Sequence, residues 1–555
     1  MDYTNLDPQT AKAYYKRGNA KYDSNDYAGA IADYNKAIEL DPKYAYAYDN
    51  RGSAKYLLND CAGAIADYNK AIELDPQNVG AYNNRGNAKY DLNDYAGAMA
   101  DFDHVIELDP QYSNAYICRA SARYDLNDYA GAIADYNKAL ELDPQDTGAY
   151  FARGNAKYNL KDYAGAITDY DKAIKLAPQD KVYYNNRGNA KKDLKDYEGA
   201  IAGYDKAIEL DPQNVGAYNN RGNAKYDLND YAGAMADFDH VIELDPQYPN
   251  AYICRASARY DLNDYAGAIA DYNKALELDP QDTGAYFARG NAKYNLKDYA
   301  GAITDYDKAI KLAPQDKGYY NNRGNAKKDL KDYVGAIADY DKAIELDPKN
   351  KVYYYNRGIS KKNLGDYAGA IADYNEVIEL DPEYARAYNS RGFFKYNLKD
   401  YEGAIADYDK ALELDPQDAD TYDNRGVAKK NLGDYTGALA DYNKAIELDP
   451  QYADAYNNRG IVKKNLGDYA GALADYNKAI ELDPECAEAY NNRGLAKKDL
   501  KDYAGAMADY NKAIELFPQY TRVYDNLIEL YEELNQPALA EEILRLKQKN
   551  CPDNQ

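Results

Sequence analysis

Residues 81–110, AYNNRGNAKYDLNDYAGAMADFDHVIELDP, decide the fold. In the second half of this stretch apolar residues recur every three or four positions, which predicts an amphipathic helix over about 96–108. The first half predicts another helix over about 81–92. Asp94 stands where a short acceptor side chain caps the second helix, and Pro110 stands where that helix must end. The stretch therefore predicts two antiparallel helices joined by a short turn.

The same pattern returns every 34 residues along the chain. Its proline is present at Pro42 and at every thirty-fourth residue as far as Pro518, without an insertion or deletion. With this proline numbered as position 32, fifteen units cover residues 11–520. A single hairpin cannot bury both of its apolar faces, whereas stacked hairpins share a continuous core. The period therefore predicts an all-α solenoid of antiparallel helix pairs.

The unit resembles the tetratricopeptide repeat family, whose 34-residue pattern has an aromatic residue at positions 4 and 24, small residues at positions 8, 20 and 27, and proline at position 32. In the third unit these positions are occupied by Tyr82, Phe102, Gly86, Ala98, Val105 and Pro110. The resemblance implies a right-handed superhelix in which the first helix of each pair, helix A, lines a concave face. It also places the tyrosines of positions 4, 17 and 24 in the core between helices.

The two ends of the chain depart from the regular unit. Residues 1–10 read as the tail of a partial repeat, which would leave the first hairpin open to self-association or to a partner. Residues 521–550 predict a degenerate helix pair whose polar outer face caps the array, followed by a tail at 551–555.

Composition excludes several classes of protein. The chain has 555 residues and a net charge of -25, with no apolar run of the length needed to cross a membrane. Its five cysteines are scattered, which argues against a disulfide framework and against a zinc site. No phosphate-binding loop, nucleophile elbow or zinc-protease motif is present. We therefore expect a cytoplasmic protein that is not an enzyme, has no cofactor, no metal and no catalytic residue, and neither inserts into membranes nor binds nucleic acid.

Every unit carries an arginine at position 7, in the middle of helix A. Position 23, on helix B, is aspartate in every unit except the sixth, where it is Gly203. Because the hairpin turns near position 16, positions 7 and 23 lie at the same height. The pattern therefore predicts an ion pair between the helices of each unit, with the basic residue of position 11 as a second cation. Representative predicted pairs are Arg85 with Asp101 and Arg221 with Asp237.

Asparagine is frequent at positions 5, 6 and 9 of the predicted concave face. An amide donates and accepts hydrogen bonds at once, so a spaced row of amides can hold an extended peptide by its backbone. The row is similar to the asparagine ladder in the repeat arm of O-GlcNAc transferase. The alternative is that asparagine only keeps an exposed helix hydrated. The candidate binding asparagines are Asn50, Asn84, Asn87, Asn186, Asn189, Asn220, Asn223, Asn322, Asn325, Asn356, Asn424, Asn458 and Asn492.

The array is not uniform. Residues 70–212 recur at 206–348 with four differences, so any site in this segment exists twice. Apolar residues interrupt the asparagine row at position 5 in the fourth, fifth, eighth and ninth units, and at position 9 from the eleventh unit onward. The apolar candidates for binding are Ile117, Phe151, Ile253, Phe287, Ile359 and Phe393. We expect backbone contacts in the N-terminal part of the groove and side-chain anchors in the C-terminal part.

These observations predict a non-catalytic scaffold that binds extended or helical peptide segments of other proteins along its concave groove. Two alternatives remain open at this point. The chain could be an accessory arm that presents substrates to an enzyme, or it could be a structural filament that assembles from copies of itself.

Overall fold

A computed structural model describes residues 10–551. These residues form 32 α-helices and contain no strand. The chain divides into two compact units, the first ending at Pro280 and the second beginning at Gln281. Each unit consists of helix pairs in which the odd-numbered helix is helix A and the even-numbered helix is helix B.

The helices of the first unit are α1 (Ala11–Asp23), α2 (Tyr27–Leu40), α3 (Ala45–Leu57), α4 (Cys61–Leu74), α5 (Val79–Asp91), α6 (Tyr95–Leu108), α7 (Ser113–Asp125), α8 (Tyr129–Leu142), α9 (Thr147–Asn159), α10 (Tyr163–Leu176), α11 (Lys181–Asp193), α12 (Tyr197–Leu210), α13 (Val215–Asp227), α14 (Tyr231–Leu244), α15 (Pro249–Asp261) and α16 (Tyr265–Leu278).

The helices of the second unit are α17 (Thr283–Asn295), α18 (Tyr299–Leu312), α19 (Lys317–Asp329), α20 (Tyr333–Leu346), α21 (Lys351–Asn363), α22 (Tyr367–Leu380), α23 (Ala385–Asn397), α24 (Tyr401–Leu414), α25 (Ala419–Leu432), α26 (Tyr435–Leu448), α27 (Ala453–Asn465), α28 (Tyr469–Leu482), α29 (Ala487–Asp499), α30 (Tyr503–Leu516), α31 (Thr521–Glu533) and α32 (Pro537–Asn550).

Side-chain caps set where the helices begin. The Asp94 side chain accepts a hydrogen bond from the backbone N–H of Gly97 at 3.0 Å, as the sequence predicts. Helix α5 begins two residues before the predicted start, because Asn78 caps it through the N–H of Ala81 at 3.0 Å. Between α5 and α6 the chain turns through Asn93, whose φ of 61° is a left-handed conformation that asparagine tolerates.

Within a hairpin the two helices approach closely at positions 8 and 24. A Cβ atom on Gly86 would lie 2.6 Å from the ring of Phe102, so glycine makes room for the buried aromatic ring. Aromatic residues at position 24, such as Phe102 and Tyr204, are fully buried. The tyrosines of position 17 differ from the prediction: Tyr95 is only half-buried, and its hydroxyl donates to the side chain of Asn93 at 2.9 Å.

Contacts between successive helices show which helices form the inner layer. In the first unit α3 contacts α5 and α5 contacts α7, and in the second unit α23 contacts α25 and α25 contacts α27. Within each compact unit, every helix B except the last packs between its own helix A and the following one. Within each unit the A helices are therefore the more crowded layer, as expected for the inner side of a stack. The predicted fold class, an all-α solenoid of antiparallel helix pairs, is confirmed.

The last hairpin consists of α31 and α32. Val523, Tyr524, Leu527 and Leu530 of α31 are fully buried, whereas most of α32 is exposed. The capping function of residues 521–550 stays a prediction. The predicted partial repeat at 1–10 and the predicted tail at 551–555 lie almost entirely outside the described residues.

Candidate functional site

The arginine of position 7 joins three helices. Arg85 donates through Nε to Asp101 Oδ2 at 2.9 Å and through Nη2 to Asp101 Oδ1 at 2.5 Å. Asp101 is 3% exposed, and it also receives Lys89 Nζ at 2.8 Å. The remaining nitrogen, Nη1, donates to Asn69 Oδ1 of the preceding helix B at 2.7 Å. The arginine therefore binds its own hairpin together and attaches it to the hairpin before.

The ion pair between positions 7 and 23 recurs in the regular hairpins of residues 11–520 with one exception. Arg221 and Asp237 form the duplicate of the pair just described, with distances of 2.9 and 2.5 Å. In the sixth 34-residue repeat, Gly203 replaces the aspartate, and Arg187 keeps only the bond from Nη1 to Asp171 at 2.8 Å. Its Nε is buried and has no hydrogen-bond partner. Because a carboxylate faces the arginine elsewhere, the row of arginines is not free to bind phosphate.

The asparagines of position 6 donate to the hairpin that precedes them. Asn220 Nδ2 donates to Asn185 Oδ1 at 3.1 Å and to Asn189 Oδ1 at 3.2 Å. The buried hydroxyl of Tyr204 donates to the same oxygen of Asn189 at 2.8 Å. We call these bonds, from position 6 to positions 5 and 9 of the preceding hairpin, the amide ladder.

Most of the predicted asparagines belong to the amide ladder. In the first unit the donors and acceptors are Asn50 to Asn19, Asn84 to Asp49 and Ser53, and Asn186 to Asn155. In the second unit they are Asn322 to Asn291, Asn356 to Asn321, Asn424 to Asn389, Asn458 to Asp423, and Asn492 to Asn457. Asn325 accepts from Tyr340 at 2.8 Å. The side chains of Asn87 and Asn223 make no hydrogen bond within the described part of the chain.

The amide ladder thus uses much of the hydrogen-bonding capacity that a peptide would need. At Asn189 the side-chain oxygen accepts two hydrogen bonds, while the NH₂ group makes none within residues 10–551. The same holds for Asn155, which accepts from Tyr170 at 2.8 Å and from Asn186 at 3.2 Å. Asn155 and Asn189 are therefore left as hydrogen-bond donors rather than as both donors and acceptors.

A second row of bonds links position 12 to position 13 of the next hairpin. Tyr56 donates to Asp91 and Tyr158 donates to Asp193, each at 2.5 Å. Burial, together with the Asp91 carboxylate, raises the pKa of Tyr56 to about 12. Sequence reasoning missed this row. From Tyr56 onward, an acid or amide stands 35 residues after every tyrosine of position 12, and this recurrence is the signal that could have found the row.

The first compact unit has a polar pocket on the face formed by the A helices. Its volume is about 280 Å³, and its lining consists of amides and phenols: Tyr124, Asn155, Tyr158, Asn159, Tyr170, Asn186 and Asn189. Two of these residues, Asn186 and Asn189, are among the predicted binding residues. Every lining residue except Tyr170 belongs to a helix A, namely α7, α9 or α11.

The second unit has a more apolar pocket of about 360 Å³. It is lined by Tyr355, Ile359, Lys362, Asn363, Tyr374, Asn389, Ser390, Phe393, Phe394 and Asn424. Ile359 and Phe393 are the predicted apolar anchors. Phe393 is 36% exposed, and Lys362 Nζ lies 4.9 Å from the centre of its ring. Here the face offers an aromatic wall with a cation beside it.

The apolar residues of position 5 pack between hairpins. The ring of Phe151 lies 4.8 Å from that of Tyr183, and the ring of Phe287 lies 4.8 Å from that of Tyr319. Ile117 packs against the core around Ala120, and its copy Ile253 is half-buried. Phe151 and Phe287 thus pack against the following helix A, and Ile117 and Ile253 are half-buried.

Two units carry aspartate at position 5. Asp49 and Asp423 are 9% and 6% exposed. Burial raises the pKa of Asp423 to about 6, although Asn458 Nδ2 donates to it at 3.1 Å. Burial also raises the pKa of Asp49, which accepts from Asn78 and Asn84. These carboxyl groups belong to the amide ladder and not to an ion pair.

Residues 10–551 contain neither a metal-binding cluster nor a helix that could span a membrane. No group of three or more histidine, cysteine, aspartate and glutamate side chains is arranged to hold a metal ion. No helix in this range combines the length and the apolar character that crossing a membrane requires.

The hairpins, their 34-residue spacing and the inner layer of A helices define a helical repeat protein. The chain belongs to the tetratricopeptide repeat family, since repeat models of this family match nearly all of it. The model described as TPR repeat matches residues 18–59, 52–92, 120–161, 188–228, 222–262, 256–297 and 430–467. Models described as tetratricopeptide repeat match residues 79–112, 148–180, 284–316, 319–350, 355–419, 407–440, 453–486 and 487–520. Membership supports a general role as a protein-interaction scaffold, and no catalytic family is indicated.

Several solved structures are similar to the chain. A tetratricopeptide repeat protein from Parabacteroides merdae is 23% identical over 45% of this chain and 98% of its own, with a TM-score of 0.39. A chain of the APC/C hetero-tetramer Cut9–Hcn1 is 16% identical over 86% of this chain and 95% of its own, with a TM-score of 0.37. Yeast Tom70 is 21% identical over 80% of this chain and 98% of its own, with a TM-score of 0.32. Comparison with curated proteins finds no match.

Proposed function

We propose that the face formed by the A helices binds peptide segments of partner proteins and that the chain performs no catalysis. The observation that carries this proposal is the apolar pocket of the second unit. An exposed aromatic ring, Phe393, stands beside Ile359 in a cavity of about 360 Å³. A pocket of this size, with aromatic and aliphatic walls and polar groups at its border, is typical of a site for a ligand side chain.

The pocket would receive an apolar or aromatic side chain of the peptide against Phe393 and Ile359. Lys362 makes no ion pair within residues 10–551, and its ammonium group lies over the ring of Phe393. It is therefore available to a peptide carboxylate. Asn389 and Asn424 at the border are joined to each other at 3.4 Å, which keeps the polar side of the pocket in place.

In the first unit the polar pocket would hold the backbone of a peptide. The side-chain oxygens of Asn155 and Asn189 already accept hydrogen bonds, whereas their NH₂ groups are free to donate. These residues therefore favour the carbonyl oxygens of an extended peptide. The predicted contrast between backbone contacts and side-chain anchors thus corresponds to a difference between the two pockets.

The test is selection from a random peptide library displayed on phage, with the full chain as bait. Peptides bound by the wild type are measured again on the double variant Ile359→Ala, Phe393→Ala. Removing two buried apolar contacts is expected to weaken binding at least about ten-fold. Val334→Ala is the control, since Val334 is an apolar residue of helix B that is 68% exposed.

Equal affinity of the double variant and the wild type would contradict the assignment of this pocket. Failure of the wild type to select any peptide would contradict peptide binding as a whole.

A further inference from the structure

The amide ladder is interrupted at two equivalent places, Cys118 and its copy Cys254. Each cysteine occupies position 6, where the ladder requires an asparagine as donor. The residues that should accept, Asn83 and Asn219, are 6% and 8% exposed. Their side-chain oxygens are buried and have no hydrogen-bond partner. By contrast, the equivalent oxygen of Asn185 in the first compact unit accepts a hydrogen bond from Asn220.

The thiol does not replace the missing donor. Cys118 Sγ accepts from Asn114 Nδ2 at 3.6 Å, and it makes no hydrogen bond to Asn83. Burial raises the pKa of the Cys118 thiol to about 11, so the group is neutral at physiological pH. A cysteine side chain is also shorter than that of asparagine, and it has no amide nitrogen with which to reach Asn83.

A second unused group lies one helical turn further along α5. Asn87 occupies position 9, whose oxygen receives a tyrosine hydroxyl and a position-6 amide in the intact ladder, as at Asn189. In this hairpin position 24 is Phe102, which has no hydroxyl. Asn87 therefore makes no hydrogen bond within the described residues, and its copy Asn223, opposite Phe238, makes none either.

The next hairpin shows that losing the donor need not strand an acceptor. Ala152 also replaces the asparagine of position 6, but the residue that it faces is Ile117, which has no polar side-chain atom. There the serine of position 9, Ser121, is within 3.3 Å of the hydroxyl of Tyr136. Donor and acceptor are thus absent together at Ala152, whereas at Cys118 only the donor is absent.

The intact ladder defines the group that fits this gap. Asn220 serves both acceptors with one nitrogen, at 3.1 Å to Asn185 and 3.2 Å to Asn189, and so uses both hydrogens of its NH₂. A backbone N–H has only one hydrogen. An ammonium group would have to leave water for two neutral oxygens, which disfavours it. A primary carboxamide has the two hydrogens and no charge.

We propose that asparagine or glutamine side chains of a bound peptide complete the amide ladder at Cys118 and Cys254. This inference rests on the proposed function, because the peptide must first lie on the A helices. Because the oxygens of Asn83 and Asn219 are buried, the ligand reaches them only after the side chain of Cys118 or Cys254 rotates away. The NH₂ group of the ligand then takes the place of the missing Nδ2 and donates to Asn83 and Asn87, or to their copies Asn219 and Asn223. Since both sites lie in the duplicated segment, the first unit has two equivalent carboxamide sites.

The experiment uses the full chain and peptides that the wild type selects from the random phage library. The selected peptides are expected to be enriched in asparagine and glutamine. Replacing a selected glutamine by methionine, which has a similar length, is expected to weaken binding to the wild type about ten-fold, for two hydrogen bonds lost. The double variant Cys118→Asn, Cys254→Asn fills both gaps from within the chain. It is expected to bind the carboxamide peptide about as weakly as the methionine peptide.

Controls make the outcome specific. Cys61→Ser changes a cysteine outside the ladder and is expected to leave both affinities unchanged. A thermal melting temperature of the double variant at or above that of the wild type shows that the variant is folded. Where the double variant melts lower, the glutamine-to-methionine comparison on the wild type alone decides.

Three results would overturn the inference. The first is equal wild-type affinity for the carboxamide and methionine peptides, and the second is enrichment of arginine or lysine instead of amides. The third is a folded double variant that still prefers the carboxamide peptide. If one of these results is found but the selected peptides bind less tightly to the Ile359→Ala, Phe393→Ala variant, only the carboxamide sites are refuted. If the wild type selects no peptide, the proposed function fails as well.

Discussion

The substitution Gly203→Asp tests the role of the arginine in each hairpin. In the wild type Arg187 lacks the carboxylate that its counterparts have, and its Nε is buried without a partner. The duplicated segment contains the answer in its own sequence, because the copy of Gly203 is Asp339. There Arg323 donates to Asp339 through Nε at 2.9 Å and through Nη2 at 2.5 Å.

The magnitude follows from the pair that forms. Two charge-assisted hydrogen bonds contribute about 1.5 to 3 kcal/mol each, from which the burial of a carboxylate must be subtracted. Replacing glycine inside a helix adds about 0.4 kcal/mol. A Cβ atom at position 203 would lie 3.1 Å from the carbonyl oxygen of Tyr184, a tight contact that the copy accommodates at Asp339. We expect a net gain of about 2 kcal/mol in the local free energy of unfolding.

Hydrogen–deuterium exchange followed by mass spectrometry measures this gain in the full chain. A gain of about 2 kcal/mol corresponds to about 30-fold slower exchange in α11 and α12. Peptides that contain residue 182 or 198 differ in mass from their copies at 318 and 334, so the two segments are distinguished. Asp339→Gly is the matched reverse variant and should speed exchange in α19 and α20. Unchanged exchange in both variants would show that the aspartate of position 23 does not stabilise its hairpin.

Two further predictions concern the amide ladder. Asp423 has its pKa raised from 3.8 to about 6 by burial. Its stabilising contribution is therefore complete below about pH 4 and is lost as the pH rises through about 6. Asp423→Asn is expected to raise the local free energy of unfolding of α25 by about 2 kcal/mol at pH 7.5 and to flatten its dependence on pH, measured by amide exchange corrected for intrinsic rates. Constant stability of the wild type between pH 4 and 7.5 would contradict this. Tyr170→Phe removes a hydrogen bond to Asn155 and should destabilise α10 by about 1 kcal/mol, whereas Tyr442→Phe removes a buried hydroxyl without a partner and should leave α26 equally or more stable. Both stabilities are measured by the same exchange method. An equal loss of stability in the Tyr170→Phe and Tyr442→Phe variants would contradict this prediction.

Much of the fold could be read from the sequence because its determinants are local or repeat at a fixed interval. The proline of position 32 and the glycine of position 8 mark the hairpin. Helix starts were less accurate, since the side chain of Asn78 caps α5 two residues before the apolar pattern becomes regular. The pairing of position 7 with position 23 also follows from the turn, because both residues belong to the same hairpin.

The candidate site could be predicted only in part. The sequence indicates which residues face the inner layer, but not which partners their amides choose. Those partners lie 31 or 35 residues away in the preceding hairpin, so they depend on how hairpins stack. For the same reason Asn83 was expected on the binding face, whereas the structure buries it between α5 and α7. The orphaned oxygen of Asn83 becomes visible only once the ladder is known.

The most direct measurement is a crystal structure of the full chain with a peptide selected from the library. The account predicts that the peptide lies along A helices, with a side chain against Phe393 and Ile359 or a carboxamide beside Asn83. It also predicts that the bonds of the amide ladder remain intact around the peptide. A peptide bound to the B helices, with the inner layer unoccupied, would contradict the account.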